Sequence, residues 1–279
     1  MNIGVLTSRG PQTGNQTTHS SGFGSLIKAP IANVHMWVGL GWIDLVQNYR
    51  RTFLGPFWIT VNLAIFAAAM TLVYGALFGV PSREYAGYIV CGMLSWMWVS
   101  ALLTEVGMTF INYGHFLKNI PIDKALFVWA AVYKLTITLA HNLIVYAALV
   151  VFGFVELNMY TLMAIPAVAI LFLFSIPITA MAAILFARYR DIQRLIASGT
   201  VVIMMVTPIF WQSTMITGWR AAIVHLNPIY YLVEFLRAPL LGRPLEMTTI
   251  LVVLGMTAIA WVVGSFFYRR YEKYVIFWI

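Results

Sequence analysis

The chain has 279 residues, 61% of them hydrophobic and only 9% charged, with a net charge of +8. Soluble domains of this size carry about 45–50% apolar and about 25% charged residues, so the composition excludes an ordinary water-soluble domain and points to a polytopic membrane protein. The single cysteine, Cys91, excludes an internal disulfide framework and a multi-cysteine metal site, and reads as a small buried hydrophobe.

Residues 1–33 begin "MNIGVLTSRGPQTGNQTTHSSGFGS", rich in Gly, Ser, Thr and Asn and without the apolar core of a signal peptide. They are predicted to be a flexible cytosolic tail. Residues 34–279 form one transmembrane domain. It opens with "MWVGLGWIDLVQNYRR" at 36–51, where Trp37, Leu40, Gly41, Asp44, Leu45, Asn48 and Arg51 recur at helical spacing. Apolar positions ending in Arg50 and Arg51 predict a helix lying in the cytosolic membrane face.

A spanning helix needs about 20 mostly apolar residues. Six segments qualify: 57–79, 87–111, 127–153, 160–187, 195–216 and 248–268. Pro166, Pro177 and Pro208 fall inside them, which is tolerable where neighbouring helices satisfy the freed carbonyls. Between the last two spans, "GWRAAIVHLNPIYYLVEFLRAPLLGRP" is too apolar for a free loop and too short for two crossings. Pro228 and Pro239 break it, which predicts a re-entrant helical pair over 219–241. The fold class is therefore an all-α integral membrane protein.

Lys and Arg set the orientation. With six spans both termini share one side. That side holds twelve: Arg9, Lys28, Arg50, Arg51, Lys118, Lys124, Arg188, Arg190, Arg194, Arg269, Arg270 and Lys273. The other holds four: Arg83, Arg220, Arg237 and Arg243. Both termini are predicted to be cytosolic. The positive charge is mostly a topology signal, so no nucleic-acid partner is implied.

No GxxxxGK[ST] phosphate loop, HExxH or CxxC pattern occurs, so the sequence predicts no metal site and no ATP site of that kind. His141 lies mid-span, as a proton relay or as a hydrogen-bonded packing residue. Glu105 and Lys134 sit about seven residues inside the second and third spans, so both lie roughly 10 Å deep. They are expected to form an intramembrane pair, with a snorkelling Lys134 and a protonated or solvated Glu105 as the other reading. A membrane-embedded transferase would need convergent acids, whereas Glu105, Asp123, Glu156, Glu234 and Glu246 are dispersed.

The order of features is familiar: "YRRTFLGPFW" closing the interface helix, "FLKNIPIDKALF", "ARYRDIQRLI", "VTPIFW" and "LNPIYYLVEFLRAPLLG". Over about residues 40–275 the chain resembles the membrane subunit of ABC exporters for O-antigen and other bacterial surface polysaccharides. Capsule and teichoic-acid export subunits are similar.

The resemblance implies a multi-pass subunit of the bacterial inner membrane that exports a lipid-linked polysaccharide. It would work as a homodimer among membrane lipids, with two copies of an ABC ATPase subunit. ATP and Mg would be bound there, with no cofactor in this chain. Teichoic acid, capsule, lipid or drug are alternative cargoes. By position, Gly114–Lys124 would couple to the ATPase through Phe116, Leu117, Lys118, Asp123 and Lys124, with Arg50 and Arg51 of the interface (gate) helix nearby. The segment 219–241 would cap the channel outside. Arg188, Arg190, Asp191 and Arg194 of the cytosolic loop would meet the ATPase or the substrate's pyrophosphate, or serve as a solvated orientation signal.

Trp58, Asn62, Phe66 and Ala69 share one face of the first span. An amide in hydrocarbon is costly, which places this face on the substrate channel, with Phe210 and Trp211 at its outer end and Tyr230 and Tyr231 as further ring donors. The alternative is that Asn62 joins two helices.

Overall fold

The computed structural model describes residues 24–49, 55 and 57–279. The expected tail at 1–23 and the expected contributions of Arg50 and Arg51 lie outside the described residues. No strand occurs among those described.

The first two helices are α1 (Ser25–Ala32) and α2 (Val34–Tyr49). The end of the expected tail is thus ordered. Leu26 is fully buried, and its carbonyl accepts from Trp129 Nε1 at 2.8 Å. Next come α3 (Phe57–Phe78) and α4 (Ser82–Thr104), then a 3₁₀ turn at Val106–Met108, α5 (Thr109–Asn112) and α6 (Gly114–Asn119). The second expected span is therefore interrupted at Glu105.

Helix α7 (Lys124–Val151) starts where Asp123 accepts from the Ala125 N–H at 2.9 Å, an N-cap that satisfies one orphan donor. A capping box at Asn158 and Thr161 opens a 3₁₀ turn that leads into α8 (Ala164–Arg188). Tyr189 separates α8 from α9 (Arg190–Val206). Two shorter helices follow, α10 (Ala221–His225) and α11 (Pro228–Leu240), the latter with Pro228 in its first turn and Asn227 capping Ile229 N–H at 2.9 Å. The chain ends with α12 (Met247–Tyr271), a 3₁₀ turn and α13 (Val275–Trp278).

Among the described residues, five helical stretches are long and apolar enough to cross a membrane: Phe57–Phe78, Ser82–Asn119, Lys124–Val151, Met159–Arg188 and Met247–Trp278. The expected fifth span, 195–216, differs. Its helix stops at Val206 because Pro208 has no N–H and pushes the residue before it out of the helical region; Thr207 sits at ψ 134°. Residues 207–212 run on without helix.

Helix α4 is the hub: Ile89, Cys91, Leu94, Trp98 and Val99 are buried in the main core. Trp98 Nε1 donates to Ser175 Oγ of α8 at 3.1 Å, and Tyr146 of α7 donates to the Leu240 carbonyl of α11 at 2.8 Å. By contrast, α3 buries only the stripe Thr60, Leu63, Ala67, Thr71 and Gly75, and leaves the rest of its circumference open.

Helices α8 and α12 approach closely at Gly264. A Cβ there would lie 2.6 Å from Pro177 Cβ and 3.1 Å from its carbonyl oxygen, neither of which can move aside. Gly255 on the same helix has nothing within 4 Å. Gly264→Ala should lower thermal stability in detergent by about 1–3 kcal/mol through overpacking. Gly255→Ala should be neutral or stabilising by about 0.5–1 kcal/mol. Equal effects at the two sites would overturn the close contact.

Candidate functional site

Where α9 breaks, the backbone exposes carbonyls that a helix would have paired. Three side chains from other helices take them up. Tyr85 of α4 donates to the Phe210 carbonyl. The Tyr88 hydroxyl donates to the Trp211 carbonyl at 2.7 Å and accepts from Arg237 Nη1 of α11 at 2.9 Å. Arg237 Nη1 also donates to the Pro208 carbonyl at 2.6 Å. Arg237 is 3% exposed, its guanidinium paired with Glu234 one turn earlier (Nε to Oε2, 2.9 Å) and lying 4.6 Å over the Tyr88 ring. Asn227 closes the cluster by donating to Thr207 Oγ1 at 2.9 Å. From the sequence, Arg237 reads as a loop charge and Glu234 as one of several dispersed acids. Their i,i+3 spacing inside an apolar helix was the available signal.

Beside this cluster runs a file of rings. Phe66 of α3 lies 6.0 Å from Phe210, which stacks on Tyr74 at 6.2 Å; Phe78 and Tyr85 continue the file. Trp58, Asn62, Phe66 and Ala69 all face outward, opposite the buried stripe of α3. The structure therefore brings Phe66 and Phe210 together. Trp211 is half-buried, with Nε1 3.4 Å from the Met205 carbonyl. Tyr230 differs from expectation: it is buried, with its ring against Tyr231 and His225. Tyr231 donates to the His225 carbonyl at 2.9 Å, so both tyrosines brace α10 against α11.

The expected Glu105–Lys134 pair is replaced by another. Lys134 Nζ lies 2.7 Å from Asp44 Oδ2 of α2, with side chains 25% and 31% exposed. Glu105, at the break after α4, is exposed. It shares with Lys134 the wall of a cavity of about 400 Å³ between α3, α4 and α7, which Asn142 also lines. The ion pair anchors α2 on α7. Gly41 makes the approach possible, since a Cβ there would sit 2.7 Å from the Ala130 carbonyl, and Trp37 packs on Trp129 and Tyr133. His141 Nδ1 contacts the Ile137 carbonyl at 2.9 Å, the local bond of a packing residue.

At the other end of the bundle, α6 presents Phe116 outward, whereas Leu117 is buried among Phe110, Phe127 and Ile184. Leu117 therefore anchors α6 instead of offering a docking surface. Lys118 donates to the main-chain oxygen of Ile279, Asp123 is the N-cap of α7, and Lys124 is half-buried at the first position of that helix. Arg188 lies over Tyr189 and Trp278 at 5.5 and 5.4 Å. Arg190 is exposed, and Arg194 and Asp191 are 4.0 Å apart with both side chains almost fully solvated, a pair of little energetic weight.

Comparison with known proteins decides what this assembly of helices is. The family described as ABC-2 type transporter matches residues 37–241, which run from α2 through α11. The chain belongs to that family. It is a membrane permease subunit of an ABC exporter, multi-pass in the bacterial inner membrane, and a transport subunit instead of an enzyme. Membership implies an ABC ATPase subunit as partner. Two curated relatives from Klebsiella pneumoniae are both called "O-antigen export system permease protein RfbA". One is 25% identical over 192 residues, covering 67% of this chain and 72% of the relative. The other is 24% identical over 190 residues, with the same coverage. The family match contains the broken α9, the ring file and the α2–α7 anchor, and stops before α12.

Breaking a buried ion pair from one side leaves an uncompensated charge, whereas removing both charges does not. Arg237→Met should therefore lower the permease's stability by about 3–5 kcal/mol in detergent unfolding. Glu234→Met combined with Arg237→Met should recover part of that loss, though the carbonyls stay unpaired. At the α2 anchor, Asp44→Asn should raise protease sensitivity within residues 34–49, whereas Glu105→Gln should not. The reverse pattern would restore the pairing expected from the sequence.

Proposed function

We propose that this permease is the channel-forming subunit of an ATP-driven exporter that moves a lipid-linked polysaccharide, of O-antigen type, from the cytosol across the inner membrane. It works as a homodimer with two ABC ATPase subunits, which bind the ATP and Mg. Six passes, α9 and the segment after it forming the fifth, put both termini in the cytosol. The helices α10 and α11 enter the outer leaflet from outside as a re-entrant pair.

The outward face of α3 carries this reading. Trp58, Asn62 and Phe66 are left uncovered within one chain, while Phe66 meets Phe210 at the start of a file of rings. An amide and several rings suit a wall on which sugars stack, more than a face that meets lipid alone. The open faces of α3 and α12 give a second copy and lipid apolar surface to cover. The two relatives named as O-antigen export permeases point to the same class of cargo. The absence of a phosphate loop in the sequence fits an engine in another chain.

The test is Trp58→Ala and Phe66→Ala in cells lacking their own copy of the permease. Surface polysaccharide should fall severalfold while permease abundance and ATPase binding stay normal. Unchanged export in both variants, or loss only through disappearance of the protein, would make the stripe structural.

A further inference from the structure

Beyond α12 the chain folds back on itself. Helix α12 has 25 residues, about 37 Å of helix, against a hydrocarbon core of about 30 Å. Its last turn carries Arg269 and Arg270, both exposed. The following segment, Glu272–Ile279, therefore emerges past the charged edge of the membrane-spanning region. It does not hang free. Val275 is fully buried in the cluster that also holds Leu117 of α6, Phe110 of α5 and Ile184 of α8. Trp278 lies under the Arg188 guanidinium and stacks on Tyr274 at 5.9 Å. Lys118 of α6 donates to the Ile279 main-chain oxygen, and Gly114 faces the Ile279 side chain, close enough that an added Cβ would touch it at 3.7 Å.

One side of this segment thus holds α6. The other side is bare: Phe277 is 82% exposed, and Ile276 is exposed as well. Phe116 and Ile120 on and just after α6 are likewise exposed apolar groups. Around them stand exposed cations: Lys118, Arg188, Arg269, Arg270 and Lys273. Apolar side chains within a polar rim are the composition of a protein-binding surface.

The geometry assigns the segment Glu272–Ile279 as a second docking element for the ABC ATPase subunit, adjoining the coupling helix α6 and holding it in place. Phe277 and Ile276 enter an apolar, acid-rimmed cleft on the ATPase beside the one that receives Phe116, and Val275 and Trp278 are the internal anchor. This rests on the reading of α6 as the coupling element. A membrane surface is the competing occupant, but α13 is seated on α6 and lies beyond Arg269 and Arg270.

The experiment uses the full permease–ATPase complex in nanodiscs. A benzoylphenylalanine placed at Phe277 should crosslink to the ATPase on illumination; crosslinks to lipid alone would overturn the proposal. Phe277→Ser with Ile276→Ser should weaken ATPase retention about tenfold. The thermal stability of the permease alone should not change, because neither side chain is buried. Phe116→Ser is the comparison. Loss of ATPase with Phe116→Ser but not with the C-terminal variant would defeat this proposal and leave the coupling reading of α6 intact. Full retention by both variants would defeat the two together.

Discussion

A backbone that leaves helical geometry inside a nonpolar bundle must find partners for every freed carbonyl, and that requirement organises this protein. Pro208 ends α9 and strands the oxygens of Pro208, Phe210 and Trp211. Each such group left unsatisfied in a nonpolar setting would cost several kcal/mol. Tyr85, Tyr88 and Arg237 supply the missing donors. Each arrives on a different turn of α4 or α11, so satisfying the break fixes both helices against it. Arg237 is itself admissible only because Glu234 neutralises it and the Tyr88 ring covers it. The deep burial of α11, the central place of α4 and the ring file along Tyr85, Phe78 and Tyr74 all follow from closing that one gap.

The rest of the molecule is packed to a different degree. Helix α3 touches its neighbours along a single narrow stripe, and α9 buries only Thr200. A monomer in water could not carry so much bare apolar surface; a permease among lipids beside a second copy can. In the proposed exporter α4 with α7, α8 and α11 forms the buried centre, and the elements that meet substrate are those with open faces.

Much of the fold was legible in the sequence because membrane helices announce themselves by length and hydropathy. Four of the six expected spans lie within a few residues of the observed helices. The misses share a physical cause: each depends on which residues meet in space. Window hydropathy carried the fifth span past Pro208, although that proline stops the helix. Depth alone matched Lys134 with Glu105, but Gly41 lets α2 come near enough for Asp44 to take the ammonium first. Composition assigned 25–33 to a flexible tail, yet Leu26 and the Trp129 indole hold α1 down. Spacing could say that Phe116 and Leu117 are adjacent, not that one points out and the other in. Helical periodicity put Phe66 on one face of the first span near Phe210, and the two rings lie 6.0 Å apart.

The two ion pairs differ in how much each one holds. The Arg237 cation is almost dry, although Glu234 is 21% exposed, and it makes further bonds to Tyr88 and the Pro208 carbonyl, so it cannot leave without exposing several buried polar groups at once. Lys134–Asp44 is a quarter to a third exposed on each side, so solvent screens the attraction and can take over either partner. What keeps α2 in place is then shared between that modest pair, the backbone contact at Gly41 and the rings around Trp37. Helix α2 is therefore held chiefly by close packing along α7, with Leu45 buried, whereas the broken end of α9 is held by buried polar bonds. In the proposed exporter, with α6 read as the coupling element, the polar lock at the end of α9 lies at the opposite end of the bundle from the drive.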